Sequence, residues 1–215
     1  MENGKMMLEE VHRFKNGAEK IGDKLVWNHE SLFSSIVEGL KKCKEIGKIP
    51  CSIGIDTWGV DYALLDKDDN LLEPVYAYRD SKNAGLAEDV SKIIPFEDVY
   101  ASCGIEFADF NTIYQLYGDK LSGKMDKAET FLTLPDYFNF LLTGVKKQEY
   151  TDATTTSLIN INTHTWDYDI IEKLGYKKSL FNDLSVPGSV VGKVSDKIAD
   201  ILGYKPTVVL PATHD

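Results

Sequence analysis

Apolar residues recur at helical spacing most clearly after Asn28, where Leu32, Phe33, Ile36, Val37, Leu40 and Cys43 share one face until Gly47 and Pro50 interrupt it. The pattern predicts a helix capped by Asn28, whose side-chain oxygen can accept from an orphan N–H of the first turn. Upstream, Met7 to Phe14 alternates loosely, Asn16-Gly17 reads as a turn, and Lys24 to Trp27 reads as a second short strand, so the chain is expected to open on a sheet edge. Cys51 to Asp56 and Val60 to Asp66 read as buried strands, the second closed by the polar turn Lys67-Asp68-Asp69-Asn70. A helix feeding a strand in this way predicts an α/β layer rather than a bundle.

Further helices are predicted at about 84–94, 111–120, 135–143, 166–174 and 195–202, the third ended by Gly144. No internal repeat appears. The run Pro206 to Pro211 is a buried-strand pattern that leads directly into Ala212-Thr213-His214-Asp215. Polar residues just past the C-terminal end of a strand stand where open α/β sheets hold their ligands. The abrupt start and finish lead us to expect a fragment of a longer protein, cut at both ends.

Composition narrows the class. The 215 residues are 43% apolar and 11% aromatic, inside the globular range, and 24 Lys+Arg against 34 Asp+Glu give a net charge of −10. Such a surface repels phosphate backbones and anionic lipid, so neither nucleic acid nor membrane is expected as a partner. No run approaches the roughly 18 apolar residues of a membrane-spanning helix, and Met-Glu-Asn-Gly-Lys is not a secretory signal, so a soluble cytoplasmic protein is expected. Cys43, Cys51 and Cys103 form no C-x-x-C pair and are odd in number, which fits reduced thiols better than a disulfide framework and predicts no zinc site.

The chemistry gathers in a few places. Gly54-Ile55-Asp56-Thr57-Trp58-Gly59 has P-loop-like glycines, but Val60 and Asp61 stand where that motif needs Lys and Ser/Thr. Trp58 between two carboxylates, beside a glycine that admits close approach, suits the apolar face and hydroxyl edge of a sugar. A packed Trp in a strand connection explains the pattern equally well. Tyr78-Arg79-Asp80 is a surface ion pair or a substrate clamp. Asn111 and Gln115, four apart, could read adjacent hydroxyls from one helix face, although Asn111 is more simply a cap. Thr154-Thr155-Thr156, near Glu149 and Asp152, is either a hydroxyl-lined wall or a turn held by side-chain to backbone bonds. His214-Asp215 is the sharpest pair, because a carboxylate past a buried strand can take a proton from a ligand hydroxyl.

Seven segments, in order, together resemble the FGGY carbohydrate kinases: Val11 to Gly17, Ser52 to Asp61, Tyr78 to Asp80, Phe110 to Leu116, Pro135 to Phe138 with Leu142 to Gly144, Glu149 to Thr156, and Thr213 to Asp215. The resemblance implies the ribonuclease H-like, actin-like ATPase α/β fold of that family's N-terminal domain over residues 1–215. It also implies ATP and Mg²⁺ in a cleft against a second, nucleotide-binding domain. The acceptor would be a small sugar, L-rhamnulose by the likeness of Gly54 to Asp61 and of Glu149 to Thr156. Asp215 then corresponds to the general base, Gly59 and His214 to sugar-contacting positions and Trp58 to part of the sugar pocket, with Asn111, Gln115 and Arg79 nearby.

The family's opening strand and Asp-x-Gly-x-Ser/Thr phosphate turn have no counterpart here, nor does its C-terminal domain. No cofactor-binding residue is therefore expected within the chain, and the chain by itself is expected to be inactive. The competing readings are a kinase of another ketose, L-fuculose or xylulose, and a sugar-binding module without catalysis. Oligomeric state is not legible at this level.

Overall fold

The computed structural model describes residues 4–214. Residues 6–18 form no regular element, and the first pairing is a hairpin of β1 (Glu19–Ile21) and β2 (Lys24–Val26), with Glu19 opposite Val26. The strand expected over residues 7–14 does not form. Met6, Met7 and Leu8 stay exposed, and the turn falls at Gly22, where a φ of 65° suits a tight hairpin. The opening segment instead follows α1 (His29–Glu45), to which His12 is tied through Lys42 (Nδ1 to Nζ 2.8 Å). Asn28 caps α1 as expected, its side chain accepting from the N–H of Ser31 at 3.0 Å.

The two predicted strands that follow are shortened to β3 (Ser52–Ile53) and β4 (Tyr62–Leu65), because residues between them form an irregular loop. Four helices come next: α2 (Leu86–Ser91), α3 (Phe96–Cys103), α4 (Thr112–Leu121) and the single turn α5 (Lys124–Lys127). Of these, α3 and α5 were not foreseen. β5 (Thr130–Thr133) runs straight into α6 (Leu134–Thr143), which Gly144 ends in the left-handed conformation at φ 75°. Short elements then alternate: β6 (Gln148–Glu149), α7 (Tyr150–Thr154), β7 (Ile159–Asn160), β8 (Thr165–Trp166), α8 (Tyr168–Lys173), β9 (Leu184–Ser185), β10 (Val190–Lys193), α9 (Asp196–Leu202) and β11 (Thr207–Val209).

β4 and β5 pair antiparallel through the middle of the molecule, Ala63 opposite Leu132 and Leu64 opposite Phe131. All eight of their residues are buried. Because strand side chains alternate between faces, Tyr62, Leu64 and Phe131 feed one apolar cluster, with Ile113, Leu116 and Trp166. Ala63, Leu65 and Leu132 feed the other, with Phe138, Leu202 and Val208. In the sheet that positions the site, β11 lies between β10, antiparallel, and β3, parallel, with Thr207 opposite Ser52 and Val208 opposite Ile53. Among the described residues no helix is long and apolar enough to cross a membrane.

Candidate active site

Parallel pairing sends β3 and β11 off the same edge of the sheet. The chains stay side by side beyond it, so that a Cβ placed on Gly54 would stand 3.4 Å from the Pro211 ring. Their continuations enclose a cavity of about 400 Å³ lined by Asp56, Thr57, Trp58, Gly59, Ala212, Thr213 and His214. This is the position expected for a ligand site in an open α/β sheet. A larger cleft of about 620 Å³ shares Asp56, Thr57 and Trp58 with this cavity and runs between the opening segment, at Glu9, Glu10, His12 and Asn16, and the apolar face of α1, at Leu32, Ile36 and Leu40.

Gly59 is the narrowest point. A Cβ placed there would stand 2.8 Å from Cγ2 of Thr155 and 3.0 Å from Cδ2 of His214, so a side chain would collide with both walls. The next residue, Val60, has a φ of 68°, an outlier for a β-branched side chain. Three side chains hold it there. The Val60 N–H donates to Oγ1 of Thr155 at 3.0 Å, and its carbonyl accepts from Thr112 Oγ1 at 2.7 Å and Gln115 Nε2 at 3.1 Å.

Asp61 then turns its carboxylate beneath the loop, where Oδ2 accepts from the indole N–H of both Trp27 (2.5 Å) and Trp58 (2.9 Å). The two indoles pack with ring centroids 4.2 Å apart. Burial pushes the Asp61 carboxyl up to about 6, and the two indole donors pull it part of the way back. Its other oxygen, Oδ1, is buried without a partner. The carboxylates noticed around Trp58 thus do different things: Asp56 faces the cavity and Asp61 orients the tryptophan.

His214 is exposed at the cavity, its backbone N–H donating to Thr151 Oγ1 at 3.2 Å, whereas Thr213 before it is buried. Asp215 lies outside the described residues. Of the other candidates, Gln115 does not line the cavity: buried behind the loop, it donates to the carbonyls of Val60 and Phe110 (2.8 Å). Asn111 precedes α4 but makes no side-chain cap, donating instead to the carbonyl of Glu106 at 3.0 Å. Arg79 is exposed and is neither ion-paired to Asp80 nor part of the lining, its Nε donating to the hydroxyl of Tyr78 at 3.0 Å. Asp80 accepts from the N–H groups of Lys82 and Leu25. The threonine run is the turn: each hydroxyl of Thr154, Thr155 and Thr156 donates three residues back, to Thr151, Asp152 and Ala153. Sequence reasoning noticed Asp61 but not its role, and missed Thr112 and the left-handed Val60, since a strained valine leaves no compositional signal.

Residues 2–215 match the FGGY family of carbohydrate kinases, N-terminal domain. The chain belongs to that family. It is 46% identical over 215 residues to the rhamnulokinase of Halalkalibacterium halodurans and 44% identical over 217 residues to that of Oceanobacillus iheyensis. These alignments cover 99% and 100% of this chain and 46% of each relative. The chain therefore spans about half the length of the curated relatives it matches. In fold it resembles the ligand-bound xylulose kinase of Lactobacillus acidophilus (TM-score 0.82, 21% identity, 92% of this chain and 41% of that one). It also resembles the glycerol kinase of Plasmodium falciparum solved with ADP (TM-score 0.75, 18% identity, 94% and 44%). The α/β fold expected from the sequence is the fold of the FGGY N-terminal domain.

Proposed function

We propose that this chain is the sugar-binding part of an ATP-dependent kinase that phosphorylates L-rhamnulose at O1, giving L-rhamnulose 1-phosphate and ADP. The observation that carries the reading is the convergence of Trp58, Gly59 and His214 on one cavity at the joined ends of β3 and β11. The names of the relatives support the acceptor. Trp58 offers an indole face to the apolar side of the sugar, held by Asp61 from behind. Gly59 lets the sugar lie against backbone, and His214 borders it across the cavity. Asp215, next in the chain, is assigned the general base that takes the proton of the attacking hydroxyl as that oxygen bonds to the γ-phosphorus and ADP leaves. Arg79, exposed on its loop, is assigned an outer contact, while Asn111 and Gln115 support the walls.

Divalent metal would neutralise the nucleotide phosphates in this chemistry. The described residues hold no group of three or more carboxylate, histidine or cysteine side chains fit to bind an ion, and Asp56 is the one carboxylate of the cavity lining that they include. That donor set suits Mg²⁺ arriving with ATP and held largely by phosphate and water. Steady-state rates of the full-length gene product on L-rhamnulose, L-fuculose and xylulose test the reading. The expected result is a kcat/KM for L-rhamnulose at least about tenfold above the others, one unpaired buried polar group sufficing for such a ratio. The same experiment includes Asp215→Asn, expected to lower kcat by about 10²–10⁴. Equal rates on all three ketoses, or an undiminished Asp215→Asn, would overturn the assignment.

A further inference from the structure

Glu149 has no place in the chemistry described above, yet it is wholly buried and lies within hydrogen-bond reach of Thr213, four residues past the end of β11. It is the N-cap of α7, and its carboxylate accepts from the N–H groups of Thr151 (2.8 Å) and Asp152 (3.0 Å). Capping a five-residue helix needs nothing more. The same carboxylate reaches across 64 residues of sequence to Thr213, whose hydroxyl donates to Oε2 at 2.6 Å and whose N–H points to it at 3.5 Å. It also accepts the hydroxyl hydrogen of Thr151 at 2.6 Å, and that hydroxyl in turn accepts the N–H of His214. One side chain therefore holds two successive residues of the strand end, Thr213 directly and His214 through Thr151.

We propose that Glu149 is a positioning residue that fixes Thr213 and His214, the two residues leading into Asp215, at the sugar cavity, acting through the hydroxyls of Thr213 and Thr151. The inference rests on the reading of Asp215 and His214 given under Proposed function. Its physical basis is the steep distance dependence of general-base catalysis: a displacement of about 1 Å costs on the order of 10²-fold in rate. Leu210 still exchanges backbone hydrogen bonds with Gly188 and Ser189, but beyond it the described residues Thr213 and His214 make no backbone–backbone bond, so side-chain anchors set their position. Charge-assisted bonds from two hydroxyls, buried away from competing water, are the strong kind.

The test removes one bond at a time. In the full-length gene product Thr213→Val keeps the side-chain shape and deletes the hydroxyl, while Thr213→Ser keeps the hydroxyl. Thr213→Val is expected to lower kcat about 10- to 100-fold with the KM for ATP within about twofold, and Thr213→Ser to stay within about threefold of the parent. In the 215-residue chain Thr213→Val should speed amide hydrogen exchange at His214 at least about tenfold while leaving the amides of α6 unchanged. If Thr213→Val fails to fold, Thr151→Ala against Thr151→Ser gives the same comparison for the His214 link, with the same outcomes deciding. A parental kcat in Thr213→Val, or equal losses in the valine and serine variants, overturns the proposal. The Asp215→Asn control separates the two readings. Loss there with a parental Thr213→Val sinks this inference alone, whereas full activity in Asp215→Asn removes the functional reading and this inference with it.

Discussion

Gly59 has no room for a methyl group. With a Cβ only 2.8 Å from Thr155 and 3.0 Å from His214, Gly59→Ala must push the threonine or the histidine aside. Overpacking of this kind costs about 1–3 kcal/mol. The expected outcome is a modestly lowered unfolding midpoint with loss of saturable heat when L-rhamnulose is titrated into the chain; unaltered sugar binding would show that the cavity lies elsewhere. Asp61 makes a second prediction at this scale. Its Oδ2 is the shared acceptor of two indoles, so Asp61→Leu leaves both N–H groups unpaired and is expected to cost about 1–3 kcal/mol for each such donor that stays buried. Tryptophan fluorescence should shift because Trp27 and Trp58 lose their fixed orientation. Trp58 was legible in the sequence as a candidate sugar platform, but the division of labour between Asp56 and Asp61 was not. Both are carboxylates near one tryptophan, and only the loop's path separates them.

The loop between β3 and β4 shows how elements position the cavity. It leaves the sheet at Ile53, passes Gly59, turns at a left-handed Val60 and re-enters at Tyr62, so its shape depends on what grips Val60. The grips come from α4 (Thr112, Gln115) and from the turn after α7 (Thr155), elements far away in sequence. Gln115→Leu is expected to take from the carbonyl of Phe110 its side-chain donor, to leave that of Val60 with Thr112 alone, and to destabilise by about 1–3 kcal/mol. Sugar affinity should fall less than it does in Gly59→Ala. Differential scanning calorimetry with titration of both variants checks this order, and the reverse order would return Gln115 to direct sugar contact. Element patterns with a strong local signal were read well: α1 with its Asn28 cap, α4, α6 with Gly144, and α9 all appear within a residue or two of expectation. The strand over 7–14 failed because alternation without a partner strand cannot satisfy backbone groups. α3 was passed over although Phe96, Val99, Tyr100 and Cys103 stand at helical spacing, because its eight residues carry that stripe over only two turns.

At the scale of the whole molecule, buried acids set the response to pH. Burial raises the carboxyl of Asp136 to about 7 and that of Asp61 to about 6, both from 3.8, and lifts Asp152 well above its usual range. A raised carboxyl in the folded state means the unfolded chain gives up its proton first. The folding cost is absent below about pH 4, grows as pH rises through 4 to 7 and is constant above that. For Asp136 alone it is on the order of 4 kcal/mol, taking about 1.4 kcal/mol per unit over roughly three units. The unfolding midpoint is therefore expected to fall between pH 5 and pH 8, and Asp136→Asn to flatten that slope. A midpoint that rises over this window would contradict it. Exposed carboxylates with lowered values, such as Asp66 and Asp196, work the other way below pH 4 and are screened by solvent. By itself the sequence determined the class of fold, the strongest helices, the strand end that carries His214, and the family, because these rest on local periodicity and on motifs that survive in order along the chain. Only the tertiary structure decided that β3 and β11 are parallel neighbours, that Gly59 faces His214 and Thr155, that Gln115 props the loop and that Glu149 holds Thr213. Those facts join residues 50 to 160 positions apart, and a one-dimensional pattern carries no record of which distant side chains share a buried wall.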